Sequence, residues 1–447
     1  MGTRQPASTG PHWLVPSADG PVRAGVTLPG SKSMTNRALV LAALADGPGA
    51  VGNPLRARDT LLMAGALTAL GAAVGTAATA GSWPVSPGQP AGDARVDVGN
   101  AGTVMRFVPP VAALTAATVE FHGDARAVQR PVGPLLAALR ELGAVIDDGG
   151  RGAVPFTLRG TGSLAGGVVT LDASASSQLV SGLLLAAPRY GKGVEVRHRG
   201  PRVPSAPHIA MTVQMLRDAG AEVEASGGGN GHPGGPGDAA PGTWRVHPGT
   251  IRHGTFTVEP DVVNAGPFLA AALVTGGTVT IRNWPSRTTQ PAGPIQDLIT
   301  TLGGRCQVTG EGLTVTGTGT IHGVTADLGD LPEMTPVVAA LAALADGPSR
   351  LTGVGHIRQQ ETDRLAALAT EINALGGDAA ELPDGLLIRP RSLHGGVFAS
   401  YDDHRLVMAA AVLGLAVPGI EVAGAATVGK TFPGFTSLWP AMLAGAP

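Results

Sequence analysis

The sequence predicts an α/β protein made of six copies of one two-helix unit, grouped as two domains of three units each. The first observation behind this prediction is a helical segment that ends in glycine and recurs at intervals of 69 to 83 residues. Its endings lie at 70–72, 142–144, 219–221, 302–304, 375–377 and 444–446. A glycine just past the last helical residue is a common helix stop, because glycine adopts the left-handed backbone conformation without strain.

The second observation is a more apolar helix that precedes each glycine ending with the same period. These helices start near Ser31, Gly102, Ser176, Asn264, Glu333 and His404. Between the helices lie short β-rich runs such as 168–171, 255–258 and 313–315, which indicate roughly four strands and two helices in each unit. Because the first helix of each pair is apolar nearly all round, we expect it to lie inside the sheets.

A Gly/Pro/Asn/Asp tract at 226–242 lengthens the third unit, and we predict a flexible surface loop there. Three units precede or contain this tract and three follow it. The boundary between the two domains is therefore predicted near Val258 and Glu259. Residues 1–16 are predicted to form an N-terminal tail.

Composition favours a protein that binds small molecules. The 31 Lys and Arg residues against 33 Asp and Glu give a net charge of −2, so we expect no basic surface for nucleic acid. The single cysteine, Cys306, excludes a disulfide framework and a cysteine zinc cluster. The apolar runs are too short to span a bilayer, and the N-terminus lacks a signal-peptide core. We expect a cytoplasmic monomer without membrane partners.

Residues 27–37 carry the first motif, which reads as a strand, a tight turn and a helix that a serine can cap. Lys32 and Arg37 fall in the first turns of that helix, where the unpaired N–H groups already carry partial positive charge. A phosphate or carboxylate ligand would make this arrangement favourable. For this motif taken by itself, however, a solvated first turn with two exposed cations is the favoured interpretation. A Walker A loop fits poorly, because Ser31 separates Gly30 from Lys32.

The other apolar helices also start with polar side chains. These are Asn100, Arg106, Ser174, Ser176, Ser177, Gln178, Glu333, Asp402, Asp403, His404 and Arg405, and loops add Arg126, Arg130, Ser205, His208, Arg358, Glu361, Arg364 and Lys430. Each alone is explained as a helix cap or a surface charge. So many cations at equivalent helix starts would repel one another without anionic ligands between them. Glu333 and Glu361 are then the acid/base candidates, and neither a metal nor a cofactor is predicted.

Five motifs carry a resemblance to a known family. They are LPGSKS at 28–33 with Asn36 and Arg37, GNAGTVMR at 99–106, SSQ at 176–178, ETDRL at 361–365 and DHR at 403–405. In this order they resemble the 5-enolpyruvylshikimate-3-phosphate synthase family, over residues 22–438. The resemblance implies two lobes, each of three βαβαββ units with internal helices (an inside-out α/β barrel), and a cleft between the lobes. Lobe 1 would comprise 17–29 plus 259–447, and lobe 2 would comprise 30–258.

The family's reaction transfers the enolpyruvyl group of phosphoenolpyruvate to the 5-hydroxyl of shikimate 3-phosphate and releases phosphate, in aromatic amino acid biosynthesis. By the resemblance, phosphoenolpyruvate would be held by Lys32, Gly102, Arg130, Gln178, Arg364, Arg405 and Lys430. Shikimate 3-phosphate would be held by Lys32, Ser33, Arg37, Ser176, Ser177, Gln178, Ser205, Glu333 and Gln360. Glu333 would accept the proton of the 5-hydroxyl, Glu361 or Lys32 would serve the methylene carbon, and glyphosate would inhibit.

Five positions depart from the common family pattern. Glu333 stands where many members have Asp, Gln360 replaces a frequent Lys, His356 a frequent Asn, Phe107 a usual Pro and His208 a usual Tyr. These departures leave open a paralogue that acts on another cyclic alcohol in secondary metabolism.

Three further alternatives remain. A related cell-wall transferase acts on a UDP-amino sugar, but its loop generally carries a reactive cysteine, whereas Cys306 lies in a β-like run. A non-catalytic anion-binding protein on the same scaffold would not need both Glu333 and Glu361. An RNA-end-processing relative would need a basic surface, which the net charge does not offer.

Overall fold

The computed structural model describes residues 11–77, 81–226 and 242–445. The chain divides into unit 1, Met1–Pro29 with Pro260–Pro447, and unit 2, Gly30–Glu259. Glu259 is the last residue of unit 2, and its carbonyl accepts a hydrogen bond from the Ser31 N–H at 2.8 Å. The unit boundary thus lies one residue after the predicted one. None of the described helices is long and apolar enough to cross a membrane.

The described residues form twelve α-helices. They are α1 (Lys32–Ala43), α2 (Arg58–Ala69), α3 (Gly102–Ala112), α4 (Gly133–Glu141), α5 (Gln178–Ala186), α6 (Ala206–Asp218), α7 (Gly266–Thr275), α8 (Ala292–Thr301), α9 (Thr335–Ala343), α10 (Arg364–Ala374), α11 (His404–Gly414) and α12 (Phe435–Leu443). Short 3₁₀ helices lie at Ala127–Gln129, Ala187–Arg189, Val262–Ala265, Pro332–Met334, Gly355–Gln359 and Ala425–Lys430.

The strands of the described residues alternate with these helices. They are β1 (Trp13–Leu14), β2 (Arg23–Val26), β3 (Gly49–Gly52), β4 (Ala73–Val74), β5 (Ser82–Ser86), β6 (Ala94–Asp97), β7 (Thr118–His122), β8 (Val145–Asp147), β9 (Phe156–Arg159), β10 (Gly167–Leu171), β11 (Val194–His198), β12 (Val223–Ser226), β13 (Thr243–Val246), β14 (Thr255–Thr257), β15 (Thr278–Ile281), β16 (Gly304–Thr309), β17 (Gly312–Gly317), β18 (Thr325–Asp327), β19 (Ser349–Thr352), β20 (Asp378–Leu382), β21 (Gly385–Arg389), β22 (Gly396–Ala399) and β23 (Ile420–Ala423).

The strands of each unit form three sheets. In unit 2 the strand orders are β14-β3-β5-β4, β6-β7-β9-β8 and β10-β11-β13-β12, and in unit 1 they are β16-β17-β15-β2, β18-β19-β21-β20 and β1-β23-β22. Every one of these sheets contains one parallel pair, such as β6 with β7, and at least one antiparallel pair. The predicted repeat of an α/β unit with two helices is confirmed.

The predicted helix stops are also confirmed. In each of the six two-helix repeats, the glycine after the second helix has a positive φ, and the six values lie between +70° and +107°. A side chain at Gly71 would meet the Gln89 carbonyl carbon at 2.1 Å, so this position requires glycine for space as well as for conformation.

The apolar first helix of each repeat lies in the interior of unit 1 or unit 2, as predicted. Every residue of α3 and of α11 is buried. The second helices keep one exposed face; in α4, for example, Leu135 and Leu139 are buried while Glu141 is exposed. Each unit has its own hydrophobic core around its internal helices.

Two expectations on irregular segments need comment. The predicted tail 1–16 is wrong for its last residues, because β1 pairs antiparallel with β23 and Val15 is buried. The Trp13 ring also packs edge-on against Phe435, with centroids 6.1 Å apart, and this apolar contact holds the segment on unit 1. Residues 1–10 lie outside the described residues. So do residues 227–241 of the predicted loop 226–242, whereas Ser226 ends β12.

Candidate active site

Lys32 opens α1 beside a buried carboxylate. Ser31 is the N-cap of this helix, and its hydroxyl accepts from the Met34 N–H, as the sequence predicts. Lys32 Nζ lies 3.1 Å from Asp59 Oδ2, and the Asp59 side chain is only 2% exposed. Asp59 stands in the first turn of α2, where a carboxylate is favourable. The ion pair fixes the ammonium group at the start of α1.

Arg37 lies one turn further into α1 and is buried. Its guanidinium donates to the Thr212 hydroxyl at 2.7 Å, the Ser33 carbonyl at 2.9 Å, the His208 carbonyl at 3.0 Å and the Ser181 hydroxyl at 3.3 Å. Burial lowers the pKa of Arg37 to about 9, because water no longer solvates the charge. All four acceptors are neutral.

Gly102 begins α3 among closely packed polar side chains. A methyl group on its Cα would lie 2.6 Å from Arg130 Nη2, 2.9 Å from Arg106 Nη1 and 3.0 Å from Gln178 Oε1. Arg130 donates to the carbonyl and the side-chain oxygen of Asn100, at 2.7 and 2.9 Å. Arg106 donates to Gln178 Oε1 at 3.2 Å. We call Lys32, Arg37, Gly102, Arg106, Arg130 and Gln178 the unit 2 cluster.

The predicted serines lie beside this cluster. Ser176 Oγ accepts from the Gln178 N–H at 3.3 Å, and Ser177 is buried at the start of α5. Ser205, the N-cap of α6, has a left-handed backbone with φ of 52°. Its carbonyl accepts from the His208 N–H, and the His208 carbonyl in turn accepts from Arg37. Ser205 is thus joined to the cluster through the main chain of α6.

Unit 1 contributes a second group, in which cations alternate with carboxylates. Arg364 donates to Asp403 at 2.7 Å, to Glu361 at 2.9 Å and also to the Gln360 side chain. Lys430 Nζ donates to the other Glu361 oxygen at 3.2 Å. Burial opposes the charge of Arg364, but the nearby carboxylates Asp403 and Glu361 raise its pKa above the usual value. We call Glu361, Arg364, Asp403, Arg405 and Lys430 the unit 1 cluster.

Arg405 and Glu333 lie close to this second cluster. Arg405 Nη1 is 3.4 Å from Asn264 Oδ1, and burial lowers the pKa of Arg405 although the carboxylates of Asp261 and Glu333 oppose this. Burial also lowers the pKa of His356, again against the influence of Glu333. Glu333 thus acts electrostatically on Arg405, Arg364 and His356.

The two clusters differ in how their cations are compensated. In the unit 1 cluster, Arg364 and Lys430 meet carboxylates. In the unit 2 cluster, Lys32 meets Asp59, but neither Arg37 nor Arg130 has a carboxylate partner among residues 11–77, 81–226 and 242–445. A buried charge without a counter-charge is unfavourable, so an anionic ligand would stabilise this cluster.

Known proteins identify the fold and the family. A family model described as EPSP synthase (3-phosphoshikimate 1-carboxyvinyltransferase) matches residues 16–439. The chain belongs to the EPSP synthase family. Its activity is therefore that of a 3-phosphoshikimate 1-carboxyvinyltransferase, an enolpyruvyl transferase of the shikimate pathway whose substrates are phosphoenolpyruvate and shikimate 3-phosphate.

Solved structures of EPSP synthases resemble this chain over almost all of its length. An EPSP synthase from Acinetobacter baumannii is 25% identical with a TM-score of 0.75, covering 97% of each chain. A second structure of EPSP synthase from that organism is 24% identical with a TM-score of 0.74, covering 95% of this chain and 96% of the other. The enolpyruvyl transferase NikO from Streptomyces tendae has the same fold at 18% identity, with a TM-score of 0.73 and 98% coverage of both chains.

Several residues that belong to the two clusters or contact them have no signal in the sequence. Asp59 looks like an ordinary first-turn acid of α2, and Ser181 and Thr212 look like interior positions of helices, yet all three contact the predicted cations. Asp403 stands in a recognised motif, but its bond to Arg364 joins α11 to α10 across 39 residues. The pattern of polar helix starts could have indicated Asn264, which begins the fourth apolar segment.

Two further groups bear on the alternatives. Cys306 lies on β16, where burial raises the pKa of its thiol. Such a thiol is poorly nucleophilic, as the sequence predicts. Among the described residues, Glu222, Glu224 and His247 lie close enough together to share a metal ion, but both carboxylates are exposed. None of these four residues belongs to either cluster.

Proposed function

We propose that residues of the unit 2 cluster and residues of the unit 1 cluster bind phosphoenolpyruvate and shikimate 3-phosphate. Phosphoenolpyruvate is assigned to Lys32, Gly102, Arg130, Gln178, Arg364, Arg405 and Lys430. Shikimate 3-phosphate is assigned to Lys32, Ser33, Arg37, Ser176, Ser177, Gln178, Ser205, Glu333 and Gln360. The observation that supports this assignment is the pair of buried guanidinium groups, Arg37 and Arg130, whose hydrogen bonds go to neutral acceptors. Both substrates carry phosphate, which supplies the missing negative charge.

The proposed first step adds the acceptor to phosphoenolpyruvate. The 5-hydroxyl oxygen attacks C2 of phosphoenolpyruvate while Glu333 accepts the hydroxyl proton, and the methylene carbon C3 gains a proton from Glu361 or Lys32. The product is a tetrahedral ketal phosphate that is not bonded to the enzyme. Lys430 Nζ lies 3.2 Å from Glu361 Oε1, which is within reach for supplying a proton to that carboxylate.

The second step eliminates phosphate from the intermediate. The bond between C2 and the phosphate oxygen breaks, C3 returns a proton to Glu361 or Lys32, and the carbon–carbon double bond forms again in the product. We assign the stabilisation of the departing phosphate to Arg364 and Lys430, which are both buried and held by ion pairs with Glu361. Fixed donors of this kind need no reorganisation as the negative charge develops.

Phosphate release tests the assignment. Mixing the chain with phosphoenolpyruvate and shikimate 3-phosphate, in a chelator and without nucleotide, is expected to release one phosphate per product. Glu333→Gln is expected to lower kcat by roughly 100-fold or more with little change in either KM, because it removes the proton acceptor. The matched control is Glu311→Gln in an exposed turn of unit 1, which should leave kcat unchanged. Equal rates in the two variants would remove Glu333 from the mechanism.

A second acceptor is favoured by one observation. Gln360 stands at a position where the family frequently has Lys; its amide is neutral and accepts a hydrogen bond from Arg364, so it supplies no positive charge for shikimate 3-phosphate. Turnover with another cyclic alcohol, and none with shikimate 3-phosphate, would assign the chain to a paralogue of secondary metabolism. The monomeric state and the cytoplasmic location stay predictions from the sequence. The absence of nucleic-acid partners also stays a prediction.

A further inference from the structure

We propose that Phe107 is a positioning residue for Arg37, and that its ring thereby sets the affinity for the anionic acceptor. The inference rests on the proposed role of Arg37 in holding shikimate 3-phosphate. Arg37 lies on α1 and Phe107 on α3, and the guanidinium carbon is 5.1 Å from the centre of the aromatic ring. Both side chains are at most 1% exposed. A cation over an aromatic face is attracted by the negative face of the ring, and exclusion of water strengthens this attraction.

The hydrogen bonds of Arg37 leave little freedom for a ligand. A guanidinium has five N–H groups, and four of those of Arg37 already point at acceptors within unit 2. The fifth is on Nη1, the nitrogen that also donates to the Ser33 carbonyl. An anionic group of the acceptor that approaches Nη1 can therefore take one N–H from Arg37. Its bond depends on the angle at which the whole guanidinium plane is held.

Three helices besides α1 hold that plane. Ser181 on α5 and Thr212 on α6 bond to Arg37 and to each other, the last at 3.0 Å between their hydroxyl oxygens. Phe107 on α3 supplies the only aromatic contact to Arg37 within the described residues. The hydroxyl groups restrain the edge of the guanidinium, whereas the ring restrains its face. Loss of the ring would let the plane tilt.

The backbone of α5 keeps the ring itself in place. A side chain at Gly182 would lie 2.2 Å from the Arg106 carbonyl oxygen, and its Cβ would be 3.5 Å from Phe107 Cδ1. The two helices therefore approach closely at Gly182, immediately after Ser181 in the chain. The backbone of α5 at Gly182 therefore packs beside the Phe107 ring and limits its movement. The ring is a fixed surface against which the charge of Arg37 is held.

The cation–π part of this role can be separated from packing. Fluorination of a phenylalanine ring weakens the negative charge of its face while it changes the volume little. We would replace Phe107 in the full chain with 4-fluoro-, 3,4,5-trifluoro- and pentafluorophenylalanine by nonsense-codon suppression. KM for shikimate 3-phosphate is expected to rise stepwise, by roughly 3- to 30-fold for the pentafluoro ring. KM for phosphoenolpyruvate and kcat should stay within about twofold, because Arg37 is not assigned to that substrate.

Phe121 offers a matched control. It is buried in the same unit, but its ring stacks on Phe156 with centroids 4.6 Å apart. The same three fluorinated residues at Phe121 should leave both KM values unchanged. A flat KM for shikimate 3-phosphate across the Phe107 series, or the same trend in both series, would overturn the proposal. A parallel rise in both KM values of the Phe107 series would also overturn it, since that is what loosened packing would cause.

A failure of the proposed function can be told apart from a failure of this inference. If the unmodified chain turned over only another acceptor, calorimetry would be used to measure the affinity of each Phe107 variant for shikimate 3-phosphate. A stepwise loss of affinity there would support the role of Phe107 although the function had been reassigned. If the unmodified chain did not bind shikimate 3-phosphate, both proposals would fall. If it bound with equal affinity throughout the series, only the role of Phe107 would fall.

Discussion

Lys32 Nζ and Asp59 Oδ2 lie 3.1 Å apart, joining the first turn of α1 to the first turn of α2 through a nearly inaccessible carboxylate. This pair sets where the ammonium group of Lys32 stands before any substrate is bound. An exposed lysine would lose side-chain entropy when it ordered around an anion. Lys32 is already ordered, and the ion pair therefore favours fast and specific binding.

Asp59→Asn is expected to lower kcat/KM by roughly 10-fold or more, because Lys32 is then less firmly placed and small displacements of a catalytic cation are costly. The control is Asp124→Asn, which affects the other ion pair of α2, between Arg58 and Asp124 at 2.7 Å. Both members of that pair are largely exposed, so its loss should change stability by less than about 1 kcal/mol and leave the kinetics unchanged. Steady-state kinetics would check both variants. Equal kcat/KM values for the two variants would show that the buried ion pair of Asp59 does not affect catalysis.

Glu361→Gln is expected to destabilise the free protein by about 3 kcal/mol, because two buried cations, Lys430 and Arg364, lose their shared carboxylate. Glu381→Gln, which removes a half-exposed partner of Arg358, should cost much less. Urea denaturation, followed with spectroscopic probes in unit 1, would measure the free energy of unfolding of both variants. Added phosphate should restore part of the stability of Glu361→Gln, since the anion replaces the lost negative charge. Identical midpoints for the two variants would contradict the prediction.

Gly102→Ala is expected to raise KM for phosphoenolpyruvate by roughly 10-fold, because the new methyl group must displace Arg130, Arg106 or Gln178. If glyphosate competes with phosphoenolpyruvate, as the family resemblance implies, its inhibition should weaken as well. Gly65→Ala is the control, since Gly65 lies within α2 and a methyl group there meets nothing within 4 Å. That change should stabilise the protein by up to about 1 kcal/mol. Initial rates over a range of phosphoenolpyruvate concentrations would measure this KM. An unchanged KM in Gly102→Ala would show that the start of α3 accommodates a methyl group without moving these side chains.

Cys306 is expected to react slowly with thiol reagents at pH 8, because burial raises the pKa of its thiol and keeps the thiolate scarce. A folded-state pKa above that of the unfolded chain means that the unfolded state loses its proton first. The contribution of Cys306 to stability is thus complete below the unfolded pKa, and it is lost as pH rises towards the folded pKa. Reaction with a chromogenic disulfide before and after unfolding would measure this. Rapid labelling of the native chain, or loss of activity in Cys306→Ala, would contradict the prediction.

Local patterns in the sequence predict the repeat well. The six glycine endings can be predicted from the sequence because a positive φ is a requirement of a single position, and few residues other than glycine adopt it without strain. The apolar first helices are readable for a similar reason, since a helix without a polar face must be buried. The strand at Trp13–Leu14 was missed because its partner β23 lies about 400 residues away and only that pairing makes it a strand.

The sequence alone determined the six-unit α/β plan, the chemistry at the starts of the internal helices and the family, because each rests on periods or motifs contained in short stretches. Only the tertiary structure decided which charges face one another. It pairs Lys32 with Asp59, surrounds Arg364 with carboxylates and leaves Arg37 among hydroxyls, carbonyls and the ring of Phe107. Those neighbours come from different helices. The energy of a buried charge depends on all the groups around it, which no stretch of sequence contains by itself.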